Sequence, residues 1–419
     1  MFAAKPSMKL LIFAHTPPPH HGQSYMVKLM LDRLGGDARK SKAEGGRPKV
    51  DAAAPSTFDP RPSTPVACYH VNCRYSDDLE DIGSFRVEKA WLVLRYCVEA
   101  IWCRFRHGVR AFYYVPAPGK RAALYRDWIV MLLCRPFFRE FIHHWHAVGL
   151  GDWLQREGSW FERRVTHWLL GAPALGIALA IPSMRDALWF RTQRVELVPN
   201  GIPDPCPDFD TAVLPLRRAR TAARGGGDGE IARVLYLAHC TESKGLFVAL
   251  EAVALAAAAL RTSGTPLQLR LTVAGSFINE PEEERFRRRI AQPDLAGLVD
   301  YAGFVTGDAK ERLLRESDAF CFPTFYEAEG QPVNLIEAMA HGLAAVTTRW
   351  RTIPDLLPAD YPGLVAPHDA QAVADTLLRL LVRDDAAELR AHFLAQYTES
   401  QHIEFLRHAL DGLEAGVCL

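Results

Sequence analysis

Three things are missing from this 419-residue sequence, and each absence removes a class of protein. There is no excess of one charge: 49 Lys and Arg face 49 Asp and Glu, so no overall field draws the chain to nucleic acid, and any anion site must be local. There is no Cys-x-x-Cys pair. The nine cysteines are scattered, which fits reduced thiols of a cytosolic protein packed as small hydrophobes rather than a disulfide framework. There is also no apolar run of the roughly 20 residues that span a bilayer. Leu10–Ala14 breaks off at His-Thr-Pro-Pro-Pro and reads as a first strand, not a leader. Leu169–Ile181 contains Pro173 and two glycines and reads as a buried helix with loops.

What is present is an ordinary globular composition, 49% apolar and 23% charged, in a chain long enough for two domains or three. Met8–Ala14 followed by the helical period of Tyr25–Leu34 opens an α/β unit. Phe112–Val115 and Glu140–His144 alternate with the helical stretches Ala90–Arg106 and Arg126–Leu133, which continues a doubly wound pattern. A second set of strands is expected at Val195–Val198, Arg233–Ala238, Leu269–Ala274, Val299–Ala302, Ala319–Pro323 and Ala344–Thr347. Gly35–Pro65 and the basic, Gly-rich Arg217–Gly229 read as surface loops. These elements predict domains over 1–195 and 196–390, with a helical tail over 391–419 that crosses back to the first. Two doubly wound sheets place ligands at the carboxyl ends of their strands.

The most informative segment runs from Tyr326 to Gly342 as a loop and then a helix. Pro332 suits the helix start, Gly342 its end, and Leu335, Ile336 and Met339 form an apolar stripe that leaves Glu337 on the opposite side. Glu329 stands in the loop just before the helix, where backbone amides favour anions and hydroxyl-rich ligands. Periodicity by itself allows both carboxylates to be surface charges.

Here the sequence resembles the family 4 glycosyltransferases, retaining enzymes of two Rossmann-like domains called the GT-B fold. Their Glu, seven residues, Glu hallmark, followed by Ala-Met-Ala-x-Gly, is matched by Glu329, Glu337 and Ala338-Met339-Ala340-His341-Gly342. The resemblance implies that Glu329 holds the donor sugar, that Glu337 holds the ribose, and that the amides of Gly330 and Gln331 serve the sugar and phosphates. Val198-Pro199-Asn200-Gly201-Ile202 resembles the family's interdomain turn. Leu235–Gly245 is similar to the strand and loop in which an Arg and a Lys clasp the diphosphate; Lys244 matches the lysine, but His239 stands near the arginine's place. Arg233 and Arg349 are candidate substitutes. In the amino-terminal half, Gly22 after Pro17-Pro18-Pro19 resembles the Gly-rich loop near the donor phosphate, and His143-His144-Trp145-His146 resembles the histidine loop that touches the sugar, with His146 first and His144 second. Acceptor recognition would fall to domain 1–195 and nucleotide-sugar binding to 196–390.

The function this implies is retaining, metal-independent transfer of a sugar from a nucleotide diphosphate sugar to a sugar or lipid-linked acceptor in polysaccharide or glycoconjugate biosynthesis. No cofactor is expected beyond the donor as co-substrate. Same-face substitution needs no side-chain base, because the leaving diphosphate assists deprotonation. Two other classes compete: a catalytically silent nucleotide-sugar binder or scaffold, favoured by the missing arginine, and a nucleotide-sugar epimerase, disfavoured by the paired glutamates. The three histidines also suggest a metal site, but His144 and His146 share one strand face while His143 points away, and no third ligand converges. Basic and aromatic residues between Trp91 and Arg139 admit two readings, a membrane-facing patch at the inner face of the membrane or core aromatics with solvated charges.

Overall fold

A computed structural model describes residues 8–18, 22–39, 66–75, 87–226 and 231–415. The chain divides into one unit formed by Met1–Asn200 with Ser400–Leu419 and another formed by Gly201–Glu399. Residues 40–65 of the expected first loop, Pro19, His20 and His21, and residues 227–229 of the second loop lie outside the described residues.

The first unit is a parallel sheet of β1 (Met8–Phe13), β2 (Val66–Val71), β3 (Ala111–Tyr114), β4 (Glu140–Trp145), β5 (Leu175–Ala178) and β6 (Arg194–Leu197), in the order β2-β1-β3-β4-β5-β6. Its central strands are apolar on both sides because both faces are covered. One face packs on α1 (Gly22–Arg33) and on the last helix, through Val27, Met30, Ile403 and Leu406. The other carries α2 (Val87–His107), α3 (Arg121–Cys134), α4 (Leu150–Arg156), α5 (Trp160–Leu170) and α6 (Met184–Trp189), with Phe13, Phe112 and Trp145 beneath them.

The second unit contains β7 (Ile231–Leu237), β8 (Gln268–Ala274), β9 (Val299–Gly303), β10 (Ala319–Phe322), β11 (Ala344–Thr348) and β12 (Leu364–Val365), ordered β9-β8-β7-β10-β11-β12 and again all parallel. Its helices are α7 (Leu214–Gly226), α8 (Leu246–Thr262), α9 (Glu280–Ile290), α10 (Gly307–Glu316), α11 (Val333–Ala340), α12 (Ile353–Leu356), α13 (Ala370–Leu380) and α14 (Ala386–Gln396). The final helix, α15 (Glu399–Ala415), belongs to the first unit from Ser400 onward.

Several expectations change. The strand at residues 194–197 pairs with β5 and ends the first sheet, so the division falls at Asn200/Gly201 rather than at 195/196, and the tail joins the first unit from 400, not 391. Leu169–Ile181 contains β5, a four-residue apolar run whose period cannot separate strand from helix. The expected loop from Arg217 is helix α7, because Arg and Ala are strong helix formers and the glycines fall only at its end. Arg217 is buried there, its guanidinium donating to the carbonyls of His341 (2.8 Å), Ser317 (2.7 Å) and Leu314 (2.9 Å). The eight described cysteines are buried and unpaired, and burial raises the Cys68 thiol to about 12.

Candidate functional site

The order of the second sheet creates the site. Counted within the unit, β9-β8-β7-β10-β11-β12 is the 3-2-1-4-5-6 order, whose direction of winding reverses between β7 and β10. The loops leaving those strands therefore diverge and open a crevice at their carboxyl ends. The loop after β7 carries His239 and Lys244; the loop after β10 carries Glu329 and leads into α11. Gly245 holds the two loops together: at φ +82° it takes a conformation that side chains disfavour, and a Cβ there would lie 2.2 Å from the Pro323 carbonyl oxygen.

Across this contact Lys244 Nζ donates to both Glu329 carboxylate oxygens, at 3.0 and 2.9 Å. Thr324 Oγ1 donates to Glu329 Oε2 at 2.9 Å, and the ammonium lies 4.6 Å from the centroid of the Tyr326 ring. Glu329 is 5% exposed, so this is a pinned and largely desolvated carboxylate. Beneath the loop, the Tyr236 hydroxyl donates to the carbonyls of His239 (2.9 Å) and Lys244 (3.3 Å). Burial and then the Lys244 charge lower the pKa of His239, which keeps its imidazole neutral near neutral pH.

The Glu329 loop is laced to its neighbours from every side. Thr348 Oγ1 donates to the Thr324 carbonyl, Trp350 Nε1 to the Tyr326 carbonyl (2.8 Å) and Thr352 Oγ1 to the Gly330 carbonyl. The Phe325 amide donates to the Ser243 carbonyl (2.9 Å), and the Glu329 amide to the Tyr326 carbonyl (3.0 Å). Gly330 and Gln331 are buried at the end of this loop. In α11, Leu335, Ile336 and Met339 are fully buried, and Glu337 faces away from them to accept from Lys310 Nζ of α10 at 2.5 Å. Asn334 Nδ2 anchors the start of α11 to the Leu237 carbonyl at 2.6 Å. The helix ends at Gly342, φ +59°, where a Cβ would lie 2.7 Å from both the Ala386 carbonyl oxygen and the Phe209 ring.

Of the two candidate substitutes for the missing arginine, Arg233 is ruled out by position. It is the third residue of β7, roughly 13 Å of strand from the carboxyl end, and its amide pairs with the Asp318 carboxylate. Arg349 follows β11 at the carboxyl side and is exposed.

In the first unit, Gly22 is the first residue of α1, which leaves the loop after β1 at that sheet's own reversal point between β1 and β3. His144 and His146 stack at 3.9 Å between centroids, and the Tyr113 hydroxyl lies 2.5 Å from His144 Nδ1. His143 points to the opposite face, packed edge-on against Trp145, and neither ring nitrogen has a hydrogen-bond partner. Among the described residues no cluster of three or more His, Cys, Asp or Glu side chains is arranged to hold a metal.

Burial drives the His143 imidazole down to about 3. Its folded value lies below its ordinary 6.5, so proton uptake favours the unfolded chain. The neutral ring costs nothing above pH 6.5, and stability drains as pH falls from there toward 3. His143→Leu is expected to flatten the fall of the urea midpoint between pH 7.5 and 5; profiles that run parallel for the two proteins would refute this.

Residues 232–383 match the family model described as glycosyl transferases group 1. The match covers 152 of the chain's 419 residues, all of them in the second unit. The amylovoran biosynthesis glycosyltransferase AmsK of Erwinia amylovora is 37% identical over 153 residues, which are 35% of this chain and 35% of that protein, so the chain spans about a third of the curated relative's length in the match. Two solved structures share the fold: Anabaena HepE in complex with UDP and glucose (16% identity, TM-score 0.62, 97% of this chain and 100% of that one) and the sucrose-phosphate synthase of Thermosynechococcus elongatus (17%, TM-score 0.66, 98% and 100%).

The matched segment contains His239, Lys244, Glu329, Gly330, Gln331 and Glu337; Gly22, His144 and His146 lie outside it. Structure adds to the segment several residues that sequence reasoning missed. Thr324 orients Glu329, Lys310 pairs with Glu337, and Trp350, Thr348 and Thr352 fix the loop. Thr324 was reachable as the polar residue two past the end of a buried strand. Lys310 has no sequence signal, since it meets Glu337 across 27 residues.

Proposed function

We propose that the chain transfers a sugar from a nucleotide diphosphate sugar to an acceptor hydroxyl, with retention and without a metal. The observation that carries this is the Lys244–Glu329 pair at the reversal point of the second sheet, inside the segment that matches the group 1 glycosyltransferases. With donor present, Glu329 accepts from sugar hydroxyls and Lys244 turns from it to the diphosphate, a short swing for an ammonium on a flexible stem. Glu337 accepts from the ribose hydroxyls, and the amides of Gly330 and Gln331 serve the sugar and phosphates. His239 is neutral and adds hydrogen bonding but no charge.

In the transfer step the bond from the anomeric carbon to the diphosphate breaks, the acceptor oxygen bonds to that carbon on the same face, and its proton passes to the leaving diphosphate. Lys244 supplies the positive charge that the leaving group needs. AmsK, by its name a glycosyltransferase of amylovoran biosynthesis, and HepE with its bound UDP and glucose support a UDP-sugar donor and a polysaccharide or glycoconjugate product in the cytoplasm.

A second reading, a silent nucleotide-sugar binder, is favoured by the neutral His239. Both are tested by mass spectrometry of binding and turnover across UDP-, GDP- and ADP-sugars with acceptor extracts, with EDTA present, for wild type and Glu329→Ala. Selective turnover in EDTA that the variant loses is the expected result. Binding without turnover would make the chain a silent binder, and turnover abolished by EDTA would remove the metal-free mechanism.

A further inference from the structure

Among the described residues, none covers the α2–α3–α5 face of the first unit. Four of the nine tryptophans in the chain are more than half exposed, and all four stand here: Trp91 (68%) and Trp102 (53%) on α2, Trp160 (70%) and Trp168 (67%) on α5. Phe105 (70%) continues the α2 row and Phe161 (60%) the α5 row. At 100° per residue, positions 91, 98, 102 and 105 fall within an arc of about 60°, so α2 presents one apolar stripe outward while Val93, Cys97, Ala100 and Cys103 bury its other side. The helix is therefore apolar on both faces, which a helix facing only water has no reason to be. α2 packs on α3 and α3 on α5, so the two rows belong to one layer.

The charges on this layer have one sign. Among the described side chains, the exposed charged residues on α2, α3 and α5 are Arg95, Arg106, Arg121 and Arg164, of which Arg121 pairs with the buried Glu162, while Glu99 is paired with Arg39 and Asp127 is buried. Residues 90–170 hold twelve Lys and Arg against six Asp and Glu in a chain whose total is balanced. Indole and phenyl rings rimmed by guanidinium groups, with no exposed carboxylate among the described side chains of these helices, complement an interface that is apolar below and anionic above. A protein partner's surface normally mixes both charges, and among the described side chains this face offers the positive ones only the Glu99 carboxylate, already paired with Arg39. No helix among the described residues is long and apolar enough to cross a membrane, so the contact is peripheral.

We propose that the α2–α3–α5 face docks the protein on an anionic lipid bilayer, rings entering the headgroup region and arginines meeting the lipid phosphates. This reading is independent of the transferase reading, since it requires neither donor nor turnover.

The test is co-sedimentation of the full chain with phosphatidylcholine vesicles holding 0 or 40% phosphatidylglycerol, with tryptophan emission recorded in parallel. Expected are binding and a blue shift only with the anionic lipid, weakened at least tenfold by Trp91→Ser/Trp102→Ser/Trp160→Ser/Trp168→Ser. Arg95→Gln/Arg106→Gln/Arg164→Gln is expected to reduce the preference for anionic lipid while the thermal midpoint stays unchanged. Failure of the wild-type protein to bind any vesicle would overturn the proposal. So would sedimentation-velocity evidence that the serine substitutions dissociate a dimer, which would assign the face to a second copy of the chain.

Discussion

Lys244→Gln is expected to lower kcat/KM for the donor by about 10²–10³-fold, most of it in kcat. The reason is local scarcity of charge. From Ala238 to Gly245 the loop offers one cation, Lys244, because His239 is neutral, and across the contact Glu329 and Thr324 bring no positive charge. The leaving diphosphate gains its charge only as the glycosidic bond breaks, so the ammonium acts mainly in the transition state. Equal effects on binding and on kcat/KM, with kcat intact, would mean that Lys244 only holds the ground state. The substitution also leaves the buried Glu329 carboxylate with Thr324 alone among these two partners. The double variant Lys244→Gln/Glu329→Gln is therefore expected to unfold later than the single one, since an unpaired buried charge costs more than a neutral amide.

Arg217→Met is expected to cost about 3–5 kcal/mol of stability, read as a lowered urea midpoint. Its guanidinium reaches three carbonyls at the carboxyl ends of two helices: Leu314 and Ser317 at the end of α10, and His341 at the end of α11. These oxygens have no further turn to bond to, and a cation there also meets the negative helix ends. Methionine would fill the volume and satisfy none of them. Because α10 and α11 also carry the Lys310–Glu337 pair, the variant should bind nucleotide more weakly at temperatures where it is still folded. A loss below about 1 kcal/mol would show that water replaces the guanidinium at this site.

Much of this was legible in the chain, and for identifiable reasons. Alternating segments such as Leu269–Ala274, apolar at every second residue, announce a strand, and the stripe of Leu335, Ile336 and Met339 with Gly342 behind it fixes α11 almost to the residue. What failed depends on distance in sequence. β6 reads like the opening of a new sheet because its strand character is local, but its pairing with β5 is not. Arg217–Gly229 reads as loop from its basic, Gly-rich composition, and the three carbonyls that bury Arg217 lie 97, 100 and 124 residues away. The Lys244–Glu329 pair was present as two separate candidates. Their meeting across 85 residues depends on the sheet reversing between β7 and β10, which no local period encodes.

The first unit takes its last helix from the far end of the chain: Ile403, Leu406 and Leu410 complete the core over which β1 and α1 pack. In synthesis order this makes the second unit a complete insert, finished while its host is still short of a wall. A ribosome that has released residues 201–399 has made one foldable body and left the other waiting. Stalling or cleavage just after residue 399 should therefore yield a sound carboxyl-terminal unit joined to an amino-terminal sheet with one apolar face covered by α1 alone, a species made for chaperones.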